Sequence, residues 1–297
     1  MIKWLLGIPY EVAFWESIYG NKKALTSTLA FSHYGRALSL DGFDAASFLM
    51  KQQEPEKAII LDIGAGMSYL PGEFIVTDQG KQLPLNIHYI DPLADYYNQI
   101  AQNHKVNVPK VEFGMMEYLS AFYPEHDVTL AIIQNALDHS ANPLKGVLEA
   151  LNALKINGVL YLNHHPNEAE YEQYRGFHQF NICIEEDKLI IWNREQRYDV
   201  NEIIKDYARV ETKMVDKNPV AIITKTSEVP AALLDHEQDI RTLSTALLNL
   251  TQEMNNASKM RKYHRQYRYY RFVQRVSKLF SWQTRQNIKN LIKKLKI

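Results

Sequence analysis

Two acidic residues in this sequence, Asp62 and Asp91, each end an apolar run of the kind that forms a buried β-strand. Asp62 is followed by two glycines one residue apart, Gly64 and Gly66. Glycine at such a turn lets a ligand approach main-chain N–H groups without a Cβ in the way. Carboxylates at the carboxyl ends of neighbouring parallel strands can frame a nucleoside, with the second acid on the ribose hydroxyls. The pattern predicts a nucleoside-binding edge; the alternative is a purely structural turn between strand and helix.

Asp138 and His139 offer a second kind of chemistry. They follow the apolar run 128–133, which is typical of a strand, so they are expected at the same edge of the sheet as the two acids. Histidine titrates near neutral pH and can accept the proton of a hydroxyl group. Asp138 and His139 are therefore the candidate catalytic residues. The alternative is that His139 only closes a ligand pocket through a hydrogen bond.

The segment 163–181 is dense in polar and aromatic side chains, which together suit a carbohydrate ligand. Its candidate acceptor-binding residues are His165, Asn167, Glu168, His178 and Gln179. Histidines beside a glutamate could also bind a divalent metal, but their spacing matches no zinc pattern, and no metal site is predicted. A polar surface loop is the simpler alternative.

Residues 58–165 resemble the class I S-adenosylmethionine (SAM)-dependent methyltransferases in the glycine motif LDIGAG, in Asp91 and in the segment QNALDHSANP. The polar segment that follows, with Gly176–Gln179, resembles methyltransferases encoded with bacterial capsule and O-antigen polysaccharide genes. Two features depart from the pattern. Ser68 stands where a third glycine is common, and the interval from Asp62 to Asp91 exceeds the usual spacing of about 20 residues. A longer first helix or loop is expected to fill that interval.

The resemblance implies SAM as the cofactor and assigns residues to it. The implied cofactor-binding residues are Asp62, Gly64, Gly66, Asp91, Met115, Met116, Gln134 and Asn135. In such folds the residues after the third strand lie beside the adenine, and those after the fourth strand lie beside the methionine part. The resemblance also implies that the segment before the first strand caps the cofactor and helps to build the acceptor site, where Tyr34 is the candidate contact.

Strand-like and helix-like segments alternate along the chain, which predicts an α/β fold with a parallel sheet. The predicted strands are 58–63, 86–91, 111–114, 128–133 and 159–162, and the predicted helices are 69–80, 93–104 and 143–155. Hairpins are expected at 180–192 and 209–226, with a short helix at 200–206 between them. By resemblance, an antiparallel hairpin after five parallel strands matches the Rossmann-like sheet of class I methyltransferases.

Four regions are predicted along the chain. They are a helical N-terminal cap (1–57), a SAM-dependent methyltransferase domain (58–229), an amphipathic or coiled-coil helix (230–258) and a basic amphipathic tail (259–297). The third region carries apolar residues at heptad spacing from Ile240 onward, which favours a homo-oligomer. A single helix packed back on the domain would show the same apolar stripe.

The chain is neutral overall, but residues 259–297 hold 13 Lys and Arg and no Asp or Glu, leaving 21 basic against 34 acidic residues elsewhere. A basic tail with aromatic and apolar residues suits an anionic membrane surface or a protein partner, and nucleic acid is the least favoured of the three. The single cysteine, Cys183, and the lack of a signal-type N-terminus or a membrane-spanning apolar run predict a cytoplasmic protein, peripheral at the inner face of the membrane if the tail binds lipid.

These features together predict a SAM-dependent methyltransferase that acts on a saccharide, at a hydroxyl of a cell-surface polysaccharide or a lipid-linked glycan. The alternatives are an NAD-type dehydrogenase and an inactive methyltransferase-like module that serves as a scaffold in a glycan-assembly complex.

Overall fold

A computed structural model describes residues 2–20, 35–69, 71–174, 176–234 and Arg265. The chain divides into two compact units, Met1–Ala246 and Leu247–Ile297, and Arg265 is the described part of the second. The helices are α1 (Ile2–Tyr19), α2 (Ala45–Met50), α3 (Ala94–Asn103), α4 (Leu119–Phe122), α5 (Pro143–Ala153), α6 (Glu168–Tyr171) and α7 (Val200–Ile204). The strands are β1 (Ile59–Ile63), β2 (Phe74–Val76), β3 (Gln82–Pro84), β4 (Asn86–Asp91), β5 (Glu112–Phe113), β6 (Val128–Gln134), β7 (Leu154–Asn163), β8 (Asn181–Glu185), β9 (Lys188–Trp192), β10 (Arg197–Asp199), β11 (Ala208–Val215) and β12 (Asn218–Lys225).

Seven of these strands form the central sheet, in the order β11-β12-β7-β6-β1-β4-β5. The pairs β1–β4, β1–β6, β4–β5 and β6–β7 are parallel, whereas β12 runs antiparallel to both β7 and β11. This confirms the predicted α/β, Rossmann-like methyltransferase sheet, in which an antiparallel hairpin follows five parallel strands. The carboxyl ends of the parallel strands lie at one edge, where ligands bind in such sheets.

The interval between β1 and β4 contains the β2–β3 hairpin, so the prediction of a helix at 69–80 is wrong. Pro71 has no N–H to donate, and Gly72 adopts a left-handed φ of +96° with its backbone close to Ala37 O. The run 75–77 is β-branched, which favours extended backbone, and Gly80 at φ +73° provides the turn. The long interval between the two acids is therefore filled by a hairpin.

The hairpin predicted at 180–192 is confirmed, but it belongs to a second sheet. β8 and β9 pair antiparallel, and the unpredicted strand β10 pairs with β9 to complete a three-stranded sheet. The fifth parallel strand is also longer than predicted, because β7 begins at Leu154. The segment before β8 therefore connects the last parallel strand of the central sheet, β7, to this smaller sheet.

Apolar side chains cover both faces of the central sheet, as expected for parallel strands. Leu61 and Ile63 of β1 pack on one face with Val147 of α5, and Ile60 packs on the other face with Leu49 of α2. The alternation along β1 follows the two-residue period of a strand. No helix in the described residues is long and apolar enough to cross a bilayer. The predicted helix at 230–258 and the basic tail lie outside the described residues, except for 230–234 and Arg265.

Candidate functional site

The turn after β1 needs its glycines for two reasons. Gly64 and Gly66 have positive φ values of +70° and +54°, which L side chains rarely adopt. A Cβ on Gly64 would also lie 2.4 Å from the Cβ of Ala136, in the segment after β6. The N–H of Gly64 donates to the Ile90 carbonyl at 2.8 Å, which ties the turn to the end of β4. The turn therefore brings three strand ends together.

Asp91 holds this turn from the end of β4. Its Oδ2 accepts a hydrogen bond from the Gly66 N–H at 3.1 Å, and its Oδ1 accepts one from the Leu93 N–H at 2.8 Å. Asp91 is buried, and burial raises its pKa to about 7 although both N–H donors oppose that rise. The residue that is predicted to hold a ribose thus also fixes the glycine turn.

Asp62 is the less satisfied of the two acids. Its side chain is buried, and Oδ2 has no hydrogen-bond partner in the part of the chain that the structure describes. Burial, with a smaller contribution from the Asp91 charge, raises the pKa of Asp62 to about 8. Among the described interactions of the two acids, none is with a basic side chain. A cationic or hydroxyl-bearing ligand would supply what this pair lacks.

Helix α1 covers the glycine turn. A Cβ on Gly66 would lie 3.0 Å from Cζ2 of Trp15, so the indole sits directly on the turn. The Trp15 Nε1–H donates to Glu11 Oε1 at 2.8 Å, and the Tyr19 hydroxyl donates to the Met67 carbonyl at 2.9 Å. Trp15 and Glu11 are absent from the sequence-predicted site. Their spacing of four residues places them on one helix face, but only the packing shows what that face covers.

The cofactor-binding residues predicted after β5 and β6 lie at the same edge of the central sheet as Asp62 and Asp91. Met115 and Met116 are buried, and the Met116 side chain packs between the core and the glycine turn. Gln134 has a buried Nε2 without a partner in the described residues. Asn135 has a φ of +49°, and its Oδ1 accepts a hydrogen bond from the His165 N–H at 2.9 Å. Asn135 thereby links the segment after β6 to the segment after β7.

Three side chains converge beside this edge: Asp138, His139 and His178. His178 Nδ1 lies 2.8 Å from Asp138 Oδ2 and 3.1 Å from His139 Nε2, and His139 Nε2 lies 3.6 Å from Asp138 Oδ2. The first two residues belong to a 3₁₀ turn, Leu137–His139, after β6, whereas His178 precedes β8. A hydrogen bond from the Gln179 N–H to the Asp138 carbonyl, at 3.3 Å, brings the two segments together. We call these three residues the Asp–His–His cluster.

Within this cluster the negative charge of the Asp138 carboxylate and the positive charge of the imidazoles stabilise each other. Burial opposes ionisation of Asp138, but the charges of His139 and His178 and the hydrogen bond from His178 outweigh it and lower the Asp138 pKa to about 2. Burial would lower the pKa of His178, yet the hydrogen bond to Asp138 and the charges of Asp138 and Glu168 raise that pKa to about 9. Nearby, burial lowers the pKa of His164 to about 4. Both ring nitrogens of His164 are buried without a hydrogen-bond partner in the described residues.

The predicted acceptor-binding residues differ in their surroundings. Glu168 interacts electrostatically with the Asp–His–His cluster, and burial and the Asp138 charge raise the Glu168 pKa. Asn167 has a left-handed φ of +51° and a buried Oδ1 without a described partner. His165 is exposed, with Nδ1 3.3 Å from Asn218 Oδ1. Gln179 donates through Nε2 to the Gly176 and Tyr174 carbonyls, so it fixes its own loop. Tyr34 lies outside the described residues.

Glu117 follows Met115 and Met116, where the resemblance implies the adenine edge, and the structure shows a further contact for it. It is buried, and its Oε1 accepts hydrogen bonds from the N–H groups of Ala141 and Asn142 at 2.8 and 3.2 Å. These bonds hold the segment that leads from the Asp–His–His cluster into α5. Glu117 lies in the 3₁₀ turn Met116–Tyr118, and no local sequence pattern indicates its contact with a segment 24 residues later.

No family model matches the chain, and no curated protein matches it. Among solved structures, the chain is similar to a 16S rRNA N2 G1207 methyltransferase (RsmC) of T. thermophilus, determined with AdoMet and guanosine, at 15% identity and a TM-score of 0.33. That match covers 64% of this chain and 41% of the other, so the chain spans less than half of the Thermus protein.

Two further similar structures are nearly covered by the match. One is a complex between the Trm112 methyltransferase activator and a methyltransferase from Haloferax volcanii, at 13% identity and a TM-score of 0.40, covering 63% of this chain and 90% of the other. The other is a SAM-dependent methyltransferase from Aquifex aeolicus, at 20% identity and a TM-score of 0.35, covering 62% and 90%. At these scores, the strand order and pairing described above are what define the fold of this chain.

Proposed function

We propose that the protein is a SAM-dependent methyltransferase that transfers the methyl group to a hydroxyl of a saccharide. The observation that carries the proposal is the pair of buried acids, Asp62 and Asp91, at a glycine turn where two neighbouring parallel strands end. Both acids have raised pKa values and none of their described interactions is with a basic group. SAM carries a sulfonium, an ammonium and two ribose hydroxyls, which match this need for positive charge and donors.

The residues present fit the cofactor in three ways. Asp62 Oδ2 is a buried acceptor without a described partner, and a ligand ammonium or hydroxyl would satisfy it. Asp91 keeps one lone pair on each oxygen after its two backbone bonds, which leaves capacity for ribose hydroxyls. Met115 and Met116 offer an apolar surface of the kind an adenine ring packs on, and Gln134 Nε2 is a donor still to be used.

When bound, SAM supplies a methyl group on a positively charged sulfur, which an oxygen lone pair can attack in line. In that reaction the acceptor oxygen would gain the methyl carbon, the carbon–sulfur bond would break with its electron pair on sulfur, and the hydroxyl proton would have to leave. The Asp–His–His cluster would assist removal of that proton. It is the polar group that follows β6, at the edge of the sheet where the methyl donor would bind. Asp138 and His139 are therefore the proposed catalytic residues, and His178 joins them.

The saccharide is supported by the polar segment around the cluster and by the resemblance to capsule and O-antigen methyltransferases. Glu168 interacts with the cluster, and Asn167 and His165 in the same segment provide further donors and acceptors, as a hydroxyl-rich ligand requires. We propose a cytoplasmic enzyme whose basic tail, 259–297, binds an anionic membrane surface or a protein partner. The helix predicted at 230–258 would join two copies. These last roles rest on the sequence alone.

Calorimetry with SAM tests the donor half of the proposal, and NAD is the control ligand. We expect saturable binding of SAM with one site per chain and no binding of NAD. For the acceptor half, SAM labelled on its methyl group is incubated with polysaccharide, lipid-linked glycan, RNA and protein fractions. Label should enter a glycan fraction. Binding of NAD in place of SAM would reject the methyltransferase, and label confined to RNA or protein would reject the saccharide.

A further inference from the structure

The Asp–His–His cluster has the geometry of a metal site. Its three ligand atoms, Asp138 Oδ2, His139 Nε2 and His178 Nδ1, are 2.8, 3.1 and 3.6 Å apart. Ligands about 2.1 Å from a divalent ion lie about 3.0 Å apart at right angles and about 3.4 Å apart at the tetrahedral angle. The three observed separations bracket both values, so one ion could contact all three atoms with little movement of the side chains.

The side chains are built into the fold and are not mobile surface groups. Asp138 is buried, and its second oxygen, Oδ1, has no hydrogen-bond partner in the described residues. The side chains of His139 and His178 are about a quarter exposed, at 24% and 25%. A site with a buried carboxylate at its floor and two half-buried imidazoles leaves one side open for further ligands. Catalytic metal sites keep such an open position.

Two further ionisable groups interact with the cluster through their charges. Asp138, His139 and His178 act electrostatically on Glu168, and Asp138 and His139 act on His164. His164 is buried with both ring nitrogens unpaired in the described part of the chain. The ligand atoms that converge within 4.8 Å of one another are those of Asp138, His139 and His178, so Glu168 and His164 are neighbours of the site and not ligands in it.

Other histidine–carboxylate pairs in the molecule show that pairing alone is not the signal. His88 Nδ1 lies 3.1 Å from Glu112 Oε1, and His104 Nε2 lies 2.9 Å from Glu16 Oε1. Each of these has one imidazole and one carboxylate, on a more open surface. Within residues 2–234, as far as they are described, the Asp–His–His cluster is the single set of three such side chains whose ligand atoms converge.

We propose that Asp138, His139 and His178 bind one divalent transition-metal ion, with an open position for the acceptor oxygen. Two imidazoles and one carboxylate favour borderline ions such as Zn²⁺, Fe²⁺ or Co²⁺ over Mg²⁺, which prefers oxygen ligands throughout. The sequence pattern predicts no metal site here, because the proposed ligands come from segments whose spacing follows no metal motif.

The ion would act on the acceptor, and this part rests on the proposed function. A divalent ion that coordinates a hydroxyl oxygen favours its deprotonated form and fixes its position. With Asp138, His139 and His178 occupied as ligands, the proton would pass to water through the open side of the site, and the oxygen would then attack the methyl carbon as the carbon–sulfur bond breaks with its electron pair on sulfur. Metal binding itself does not depend on methyl transfer and can be measured without SAM or an acceptor.

Zinc binding to the full-length protein tests the proposal. The protein is freed of metal with a chelator and titrated with Zn²⁺ against a chromophoric competitor. We expect one equivalent to bind, and we expect Asp138→Asn and His178→Gln to weaken that binding at least ~100-fold. His88→Gln is the matched control, because it removes the imidazole of an ordinary histidine–carboxylate pair, and it should leave the stoichiometry and affinity unchanged. A parent protein that binds no tight equivalent, or variants that bind as the parent does, would overturn the site.

A second test of metal binding uses the parent protein alone, so it remains valid if a cluster variant fails to fold. It measures the visible spectrum of the Co²⁺-loaded protein. A visible absorption band that saturates at one equivalent of Co²⁺ and disappears on addition of Zn²⁺ supports the site. Absence of a saturable band overturns it. SAM calorimetry on metal-free protein separates this outcome from the proposed function: SAM binding without a metal site rejects only the metal, and a metal site without SAM binding rejects only the methyltransferase.

Discussion

Two groups of buried acids in this protein meet opposite electrostatic conditions. Asp138 is buried between two imidazoles, and they lower its pKa to about 2. Asp62 and Asp91 are buried beside each other, and burial raises their pKa values to about 8 and 7. One buried carboxylate thus has its countercharge within the protein, whereas the pair has none among its described interactions.

The difference distinguishes two parts of the proposed site. We call Asp62, Asp91 and the glycine turn the donor end, and the Asp–His–His cluster the acceptor end. A buried pair of acids without a countercharge costs stability unless a ligand supplies the charge, which is the condition expected of a site for a cation such as SAM. A carboxylate that is already neutralised by imidazoles can instead exchange protons or metal ions. If this comparison is right, substitutions at the two ends should affect different measurements.

The largest expected effect is on turnover. His139→Ala should lower kcat by about 10²–10⁴-fold, because the acceptor hydroxyl loses the group that assists its deprotonation, while the affinity for SAM stays unchanged. Asp91→Ala should do the reverse and weaken SAM binding by roughly 1.5–3 kcal/mol, through loss of charge-assisted hydrogen bonds. Single-turnover rates at saturating SAM and calorimetric Kd values measure the two effects. If both variants changed Kd alone, the division into two ends would fail.

The donor end could be predicted from sequence because its parts are nearly contiguous. The motif around Asp62, Gly64 and Gly66 and the acid at the end of the next strand are local signals, and the strand order then brings them together. The helix predicted at 69–80 failed for a local reason too, since Pro71 and Gly72 precede a β-branched run. The cover that Trp15 provides over the turn depends on how α1 packs, which no local pattern contains.

The acceptor end could be predicted only in part. Asp138 and His139 follow a recognisable strand, but His178 enters the cluster from a segment 40 residues later in the chain. Its contact with Asp138 depends on the second sheet and on the loop that Gln179 fixes. The sequence therefore indicated the residue types present and not their convergence, which is why a metal site was not predicted.

The next largest effect is expected from a substitution in the glycine turn. It tests whether the donor end needs the close approach of Gly64 to Ala136. Gly64→Ala should destabilise the protein by about 2–4 kcal/mol, because a Cβ there combines a left-handed φ with a 2.4 Å contact to the Ala136 Cβ. SAM affinity should fall as well. Urea unfolding measures the first effect and calorimetry the second.

Gly80→Ala is the matched control for that substitution. Gly80 has nearly the same φ, +73°, but nothing lies within 4 Å of a Cβ at that position. It should cost only the backbone penalty of about 1 kcal/mol and leave SAM binding unchanged. Equal losses for the two variants would show that the close approach to Ala136 does not matter.

Removing one charge from each group of acids should change stability in opposite directions. Asp62→Asn should stabilise the ligand-free protein by about 1–2 kcal/mol at pH 8, because it removes a buried carboxyl that has no described countercharge. Asp138→Asn should destabilise it by about 2–3 kcal/mol, through loss of a charged hydrogen bond to His178. Changes of the same sign in chemical unfolding would contradict the comparison.

The raised pKa of Asp62 also predicts how the stability of the protein changes with pH. The folded-state pKa of Asp62, about 8, lies above the ordinary aspartate value of 3.8, so between these two pH values the folded protein holds a proton that the unfolded chain has lost. The contribution of this carboxyl to stability is therefore complete below pH 3.8 and is lost as the pH rises through about 8. The parent should lose stability between pH 5 and pH 8.5, and Asp62→Asn should lose less over that interval.

The smallest expected effect concerns the helix that covers the donor end. The Tyr19 hydroxyl donates to the Met67 carbonyl at 2.9 Å, directly after Gly66 in the turn. Tyr19→Phe should cost about 1 kcal/mol of stability and weaken SAM binding by ~2–5-fold, because the turn loses one of the bonds that position it. Tyr207→Phe is the control, since it removes a hydroxyl that donates to the Ile203 carbonyl at 2.7 Å, between α7 and β11. The control should lose similar stability with no change in SAM affinity, and turnover at saturating SAM should be unchanged in both. A weaker Kd in both variants would mean that SAM affinity follows general stability, and α1 would then have no particular role in holding the donor end.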